Sequence, residues 1–133
     1  MKQFNFLDWQ VYKDAQDLVS FSLQIVKKLP KEHRFELSSQ LIRSSSSIVL
    51  NIAEGSGKSS KKDFSNFIDI ALGSLYETIA NVDILRINGL IESGDFEVIK
   101  EKSANIARQL GGFKKKLKIW LRSAHCLLFI VHW

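Results

Sequence analysis

The chain has 133 residues, 45% of them hydrophobic and 25% charged, which is one domain's length with enough apolar content to bury a core without metals or disulfides. Its one proline and seven glycines favour long helices over many short strands, and its lone cysteine, Cys126, excludes an intrachain disulfide. The net charge of +5 is concentrated between Asp95 and Arg122, where eight bases face three acids; such a segment suits an anionic partner such as RNA, and equally a solvated helix face.

Met1 to Trp9 contains no long apolar run, so no secretory signal is expected and a cytoplasmic setting fits. The spacing then predicts a first helix over about 8–28. Val11, Ala15, Leu18, Ser22, Ile25 and Leu29 step by four and three along one face. Asp8 is placed to cap it, and Pro30 ends it by removing a donor and restricting Leu29. A second helix is predicted over about 35–54, with Leu37, Leu41, Ser44, Ile48 and Ile52 inward and Gly55 as its stop.

A third helix is predicted over about 61–88. Ser60 and Asp63 resemble a capping box, Phe64, Ile68, Ala71, Leu75, Ile79, Val82 and Leu85 form the stripe, and Asn88-Gly89 ends it. The fourth is predicted over about 94–122 on Phe96, Ile99, Ser103, Ile106, Leu110, Phe113, Leu117 and Trp120. Gly111-Gly112 inside this stripe points to a kink or a close helix contact. Short connections between long helices make an all-α, antiparallel, up-down-up-down four-helix bundle over residues 1–123 the expected fold. The apolar tail, residues 124–133, is too short to span a bilayer and has three outcomes open: continuing helix four, folding back, or packing on another subunit; its composition also allows a short strand.

Residues 54–60, E-G-S-G-K-S-S, end like a phosphate-binding loop. The G-x-x-x-x-G-K-[ST] pattern needs a glycine where Ile52 stands, and a strand where a helix is expected. A helix end, a polar turn and an N-cap at Ser60 explain the stretch better. Lys58, Lys61 and Lys62 remain candidates to touch an anion at the start of helix three.

Asn51 and Glu54, and Ser74 and Glu77, put polar groups on or beside apolar stripes. A hydrogen-bonded network that fixes helix pairing is the expected role, with a catalytic pair of Glu54 and Glu77 as the sharper alternative. His33, His125 and His132 have no metal-ligand spacing, and Cys126 beside His125 is not a dyad by adjacency, so no metal or cofactor is expected.

N-I-A-E-G at 51–55, S-K-K-D-F at 60–64 and A-L-G-S-L-Y-E at 71–77 resemble the 23S rRNA intervening-sequence (S23) proteins. F-L-D-W-Q-V-Y-K-D-A at 6–15 and L-P-K-E-H-R-F-E-L-S-S-Q-L at 29–41 extend the resemblance, which runs from about Phe6 to Arg122. It implies a short antiparallel bundle, assembly as a homopentamer around a channel, and nucleic-acid binding without enzyme activity. A similar bundle is the accessory protein of diversity-generating retroelements. By position the signature residues are Asn51, Glu54, Gly55, Gly73, Ser74 and Glu77. The chain departs from the family's pattern at Val49-Leu50, at Ser44-Ser45-Ser46 and in the tail after Ser123.

Two functions from different classes follow. One is an oligomeric, non-enzymatic module that neutralises RNA phosphates with Lys114, Lys115, Lys116, Lys118 and Arg122, helped by Lys58, Lys61 and Lys62. The other is a protein-interaction scaffold that uses its basic helix and its tail and touches no nucleic acid. No membrane partner is expected.

Overall fold

The computed structural model describes residues 3–131, with side chains for all of these except 33, 120, 121 and 124–131. A 3-10 turn, Asn5–Asp8, leads into helices α1 (Gln10–Lys28), α2 (Lys31–Ser56), α3 (Lys61–Ile87) and α4 (Ser93–Val131), and no strand occurs among the described residues. Backbones approach between α1 and α2, α2 and α3, α3 and α4, and α4 and α1, but not across either diagonal. The helices therefore stand at the corners of a square. Lys28 paired with Asp95 and Lys102 with Asp17 make α1 and α4 antiparallel; Gly55 against Phe67 and Ser47 against Ser74 do the same for α2 and α3. The all-α, up-down-up-down bundle is the observed architecture.

The core follows the stripes read from the sequence, with Leu37, Phe64, Ile79, Phe96 and Phe113 partly buried at its edge and the side chain of Trp120 outside what is described. Val11, Ala15, Leu18, Ser22, Ile25 and Leu29 of the first stripe are all buried, as are Leu41, Ile48, Ile52, Ile68, Ala71, Leu75, Val82, Leu85, Ile99, Ile106, Leu110 and Leu117. Burying side chains of this size stabilises by roughly 1.5–3 kcal/mol each.

Several helix boundaries differ from the expectation, each for a local reason. Asp8 belongs to the 3-10 turn, and the residue before α1 is Trp9, which makes no side-chain cap. The turn lets Phe6 meet Tyr12 edge-on at 5.0 Å and sends the Trp9 ring toward α3 and α4. Helix α2 starts at Lys31, four residues before Phe35, because Pro30 sits at the position where a missing N–H costs nothing. Arg34 from its first turn donates to the carbonyl of Leu29 at 3.2 Å, serving the end of α1.

Gly55 does not stop α2. The helix runs on to Ser56 and Gly57 caps it, while Gly55 is buried against α3. Ser60 does cap α3, accepting from the Asp63 N–H at 3.1 Å. At the other end of α3, Gly89 takes φ +71°, with Leu90 N–H to Leu85 O (2.9 Å) and Gly89 N–H to Arg86 O (3.0 Å), a Schellman stop. Helical backbone passes unbroken through Gly111-Gly112, and a Cβ at either would meet nothing within 4 Å, so close helix contact is not their reason. It also continues past Arg122 through Val131, so the tail extends α4 and is not a strand. The side chains of His33, His125 and Cys126, and all of His132, lie outside what is described.

Candidate nucleic-acid interface

One end of the bundle gathers all eight candidate cations. Trp9 stacks on Phe64 with ring centroids 6.0 Å apart and lies 5.2 Å from Phe113, while Phe64 and Phe113 meet edge-on at 6.0 Å. Three rings from before α1, from the first turn of α3 and from the later part of α4 thus pin these segments together. Lys58, Lys61 and Lys62 border the α2–α3 turn at this end, and Lys114 to Arg122 follow Phe113 directly.

The α4 cations do not form one surface. Arg108, Gly111, Lys115, Lys118 and Arg122 follow steps of three, four, three and four, so they share one helix face, opposite the buried Leu110 and Leu117. Arg108, Lys115, Lys118 and Arg122 are exposed and form no ion pair among the described residues. Lys116 is exposed on the flank toward α1, in line with Asn105 and Gln109. Lys114 differs from these in being paired, with Asp69 of α3. Its position beside the core stripe points it across the helix seam, where a carboxylate waits. Arg108, not picked from the sequence, continues the exposed face; the signal available was its spacing of seven from Lys115.

At the turn, Lys58 lies 5.0 Å over the Phe67 ring and 3.9 Å from Glu54, a loose pair on an exposed site. Lys61 and Lys62 are exposed in the first turn of α3. Between this turn, the end of α2 and the N-terminal 3-10 turn lies a groove of about 920 Å³. Phe4, Phe6, Trp9, Phe64, Lys58 and Lys61 are among its lining. Phe4 is 63% exposed and holds φ +59°, ψ +47°, the left-handed conformation that bulky residues rarely adopt. Leu50, Ala53 and Glu54 of α2 close the groove, and α2 is diagonal to α4. The groove and the α4 face therefore share an end of the bundle but open on different sides.

The signature residues separate into two groups. Asn51, Gly55 and Ser74 lie in the α2–α3 seam. Asn51 Nδ2 donates to the Ser47 carbonyl (2.7 Å) and contacts Ser47 Oγ (3.0 Å), which in turn bonds Ser74 Oγ across the seam at 2.8 Å. The network extends to Ser44, read from the sequence only as part of the inward stripe, and to Thr78 and Asn81, which the sequence reading missed. Thr78 Oγ1 lies 3.0 Å from Ser44 Oγ and 2.8 Å from the Ser74 carbonyl, and its one proton serves one of them at a time. Asn81 Nδ2 donates to Ser44 Oγ at 3.2 Å. Of Ser44-Ser45-Ser46, where the chain departs from the family's pattern, Ser44 bonds across the seam, while Ser45 Oγ donates back to the Leu41 carbonyl at 2.9 Å.

Glu54, Gly73 and Glu77 are exposed. The bond between Ser47 and Ser74 and the close approach of Gly55 to Phe67 fix the register, so Glu77 stands level with about residue 45 of α2. That is nine residues from Glu54, or about 14 Å of helix. The two carboxylates do not converge, which removes the catalytic pair. No three His, Cys, Asp or Glu side chains come together as a metal site among the described residues, and no described helix is long and apolar enough to cross a membrane.

The α1–α4 seam holds one charged group that the sequence reading missed. Asp14 accepts from Gln10 (2.8 Å), Gln109 (2.7 Å) and Asn105 (2.9 Å). Burial pushes its carboxyl up, but the three amides and the Lys102 charge together outweigh this and hold it below the usual aspartate value.

Against known proteins, the model of one family, described as 23S rRNA-intervening sequence protein, matches residues 7–112. The match stops at Gly112, so it includes the seam, the groove from Leu7 onward and Arg108, but not Lys114 to Arg122. No curated protein matches. Among solved structures, the chain is similar to a protein of unknown function from the S23 ribosomal protein family of Bacteroides thetaiotaomicron, with TM-score 0.73 and 28% identity, over 79% of this chain and 98% of that one.

Proposed function

The chain belongs to the family of 23S rRNA-intervening sequence proteins, and from that premise we propose that it is a non-enzymatic, self-associating bundle that binds RNA through the phosphate backbone. The observation that supports this reading is the outward face of α4. Arg108, Lys115, Lys118 and Arg122 run fourteen residues along one exposed helix face, about 21 Å, with no carboxylate paired to any of them among the described residues. A cation that is already paired releases little on meeting a phosphate; an unpaired one contributes its full share of counterion release. Lys116 on the flank and Lys58, Lys61 and Lys62 at the same end add to the positive field. The setting proposed is cytoplasmic, where RNA is available. Recognition by such a row is of backbone and shape, so little sequence preference is expected.

Salt titration tests it. Wild-type protein is expected to retain a structured rRNA fragment at low salt with a steep negative slope of log affinity against log salt. Replacing Lys115, Lys118 and Arg122 by Ala should make that slope shallower by about 2–3. A slope unchanged by the triple substitution, or no retention at any salt, rejects the proposal.

The outer face of α3 supports self-association. Ile70, Tyr76, Ile84 and Ile87 are each at least half exposed, with Gly73 and Ala80 between them. Interspersed with the exposed Asp69 and Glu77, these side chains leave apolar area uncovered by the monomer. A second copy is the occupant proposed, and the family resemblance implies five copies. The same face also favours the second reading, a scaffold whose α3 takes a different protein.

A further inference from the structure

We propose that the apolar end of α4 of one copy docks in the groove between α1 and α2 of a second copy, so that each chain gives one helix end and accepts one. This rests on the reading of the protein as self-associating, and it adds to the α3 face a second contact made by different residues.

The groove is open and carries no charge. Its volume is about 550 Å³. Val19 and Leu23 of α1 and Val49 and Leu50 of α2 supply its apolar lining, and the rest of the described lining is glutamine and serine. Leu23 is 45% exposed and Leu50 63%. The inward positions beside them, Ser22, Ile25, Ile48 and Ile52, are buried, so the core side of each helix is already filled. Neither leucine has a place to go within its own chain.

The occupant follows from charge, length and topology together. The three longest stretches without Asp, Glu, Lys or Arg are 18–26, 44–53 and 123–133. The first two supply Val19, Leu23, Val49 and Leu50 to the groove. The third lies at the end of α4, where helical backbone runs through Val131, well past Leu117, the last buried side chain among those described. Leu127 to Val131 is an unbroken apolar run. Residues 123–131 make about 12 Å of helix, against about 10 Å from Gln16 to Leu23 along the groove. An apolar helix laid in an apolar groove is a recurring docking mode. The groove must be another copy's. Helix α4 meets α1 and α3 but not α2, and its backbone is helical without a break from Ser93 to Val131, so it cannot turn back to its own α1–α2 seam. The outer face of α3 is a poorer match, because Asp69 and Glu77 interrupt it. Helix end and groove are different surfaces of one chain, so the contact is head-to-tail and closes into a ring or continues from copy to copy.

The test uses full-length protein at micromolar concentration, with sedimentation for mass and a short bismaleimide for contact. Leu50→Glu puts a charge in the groove at an exposed position. It should weaken self-association by about tenfold or more and leave the thermal midpoint close to that of wild type. Ser20→Cys puts a thiol in the groove for the reagent to join to Cys126, the chain's own cysteine. Mixing isotope-labelled and unlabelled protein should give peptides joined between copies from position 20 to Cys126, and adding Leu50→Glu should abolish them. Glu77→Cys, on the α3 face, is the control and should form no link to Cys126. If the link forms from position 77 and not from position 20, the helix end lies on α3 and this inference fails. If Leu50→Glu keeps the wild-type mass and position 20 forms no link between copies, the inference fails while self-association through α3 stands. Wild type sedimenting as a monomer would reject self-association itself, and this contact with it.

Discussion

A methyl group added at Gly55 would sit 2.8 Å from Phe67 Cβ and 2.9 Å from Phe64 Cδ2. The first of these is anchored to the α3 backbone, so the helices themselves must part. Gly55→Ala should therefore destabilise by about 1–3 kcal/mol through overpacking, less the ~1 kcal/mol that alanine gains as a helix former. A lower denaturant midpoint at unchanged slope is the measurement. Asp14 makes a second prediction at this scale. Its folded value lies below its unfolded one, so its contribution is fully present above the ordinary aspartate range and is lost as pH falls through the folded value. The stability gap between wild type and Asp14→Asn should stay constant near neutral pH and narrow toward acid in pH-dependent melts. The sequence marked Asn51, Gly55 and Ser74 as positions that matter but not why. Gly55 read as a stop because glycine ends helices; its real constraint is a neighbour 12 residues on in α3, and no local pattern carries that distance. Nothing in the sequence singled out Asp14, because its amide partners Asn105 and Gln109 lie at the far end of the chain.

Whole elements were more legible than their ends. Each stripe of three-and-four spacing became a buried face, because burial and periodicity are the same fact for a helix. Starts moved where short-range geometry intervened, as at Pro30 and Trp9. The charge run on α4 was visible as composition, but its division was not: Lys114 faces Asp69, Lys116 flanks toward α1, and Lys115, Lys118 and Arg122 face outward. Only the neighbours of a helix decide which of its cations are already occupied. The outer face of α3 yields a prediction of opposite signs. Gly73 has open space around it, so Gly73→Ala should stabilise the isolated bundle by about 0.5–1 kcal/mol. If a second copy packs closely on Ile70, Tyr76 and Ile84, the same change should lower the sedimenting mass at micromolar concentration. Unchanged mass would argue that copies do not meet on this face.

At the scale of the molecule, α4 is longer than its companions. It has 39 residues against 27 in α3, about 58 Å against 40 Å. Leu117 is its last buried side chain among those described, and Ile119 is 65% exposed. Trp9 and Phe64 are level with Phe113, so helical backbone runs on beyond the point where α1 and α3 begin. With Leu117 the last buried side chain among those described, removing residues 124–133 is expected to leave the thermal midpoint of the bundle within about a degree. A fall in light-scattering mass on that truncation would assign the extension to assembly, while an unchanged mass would leave the α3 face as the contact.

Because α2 and α4 stand diagonally across the bundle, a substitution on the outer face of one leaves the backbone contacts of the other untouched, so changes at the α4 lysine row and at the end of α2 can be read independently of each other.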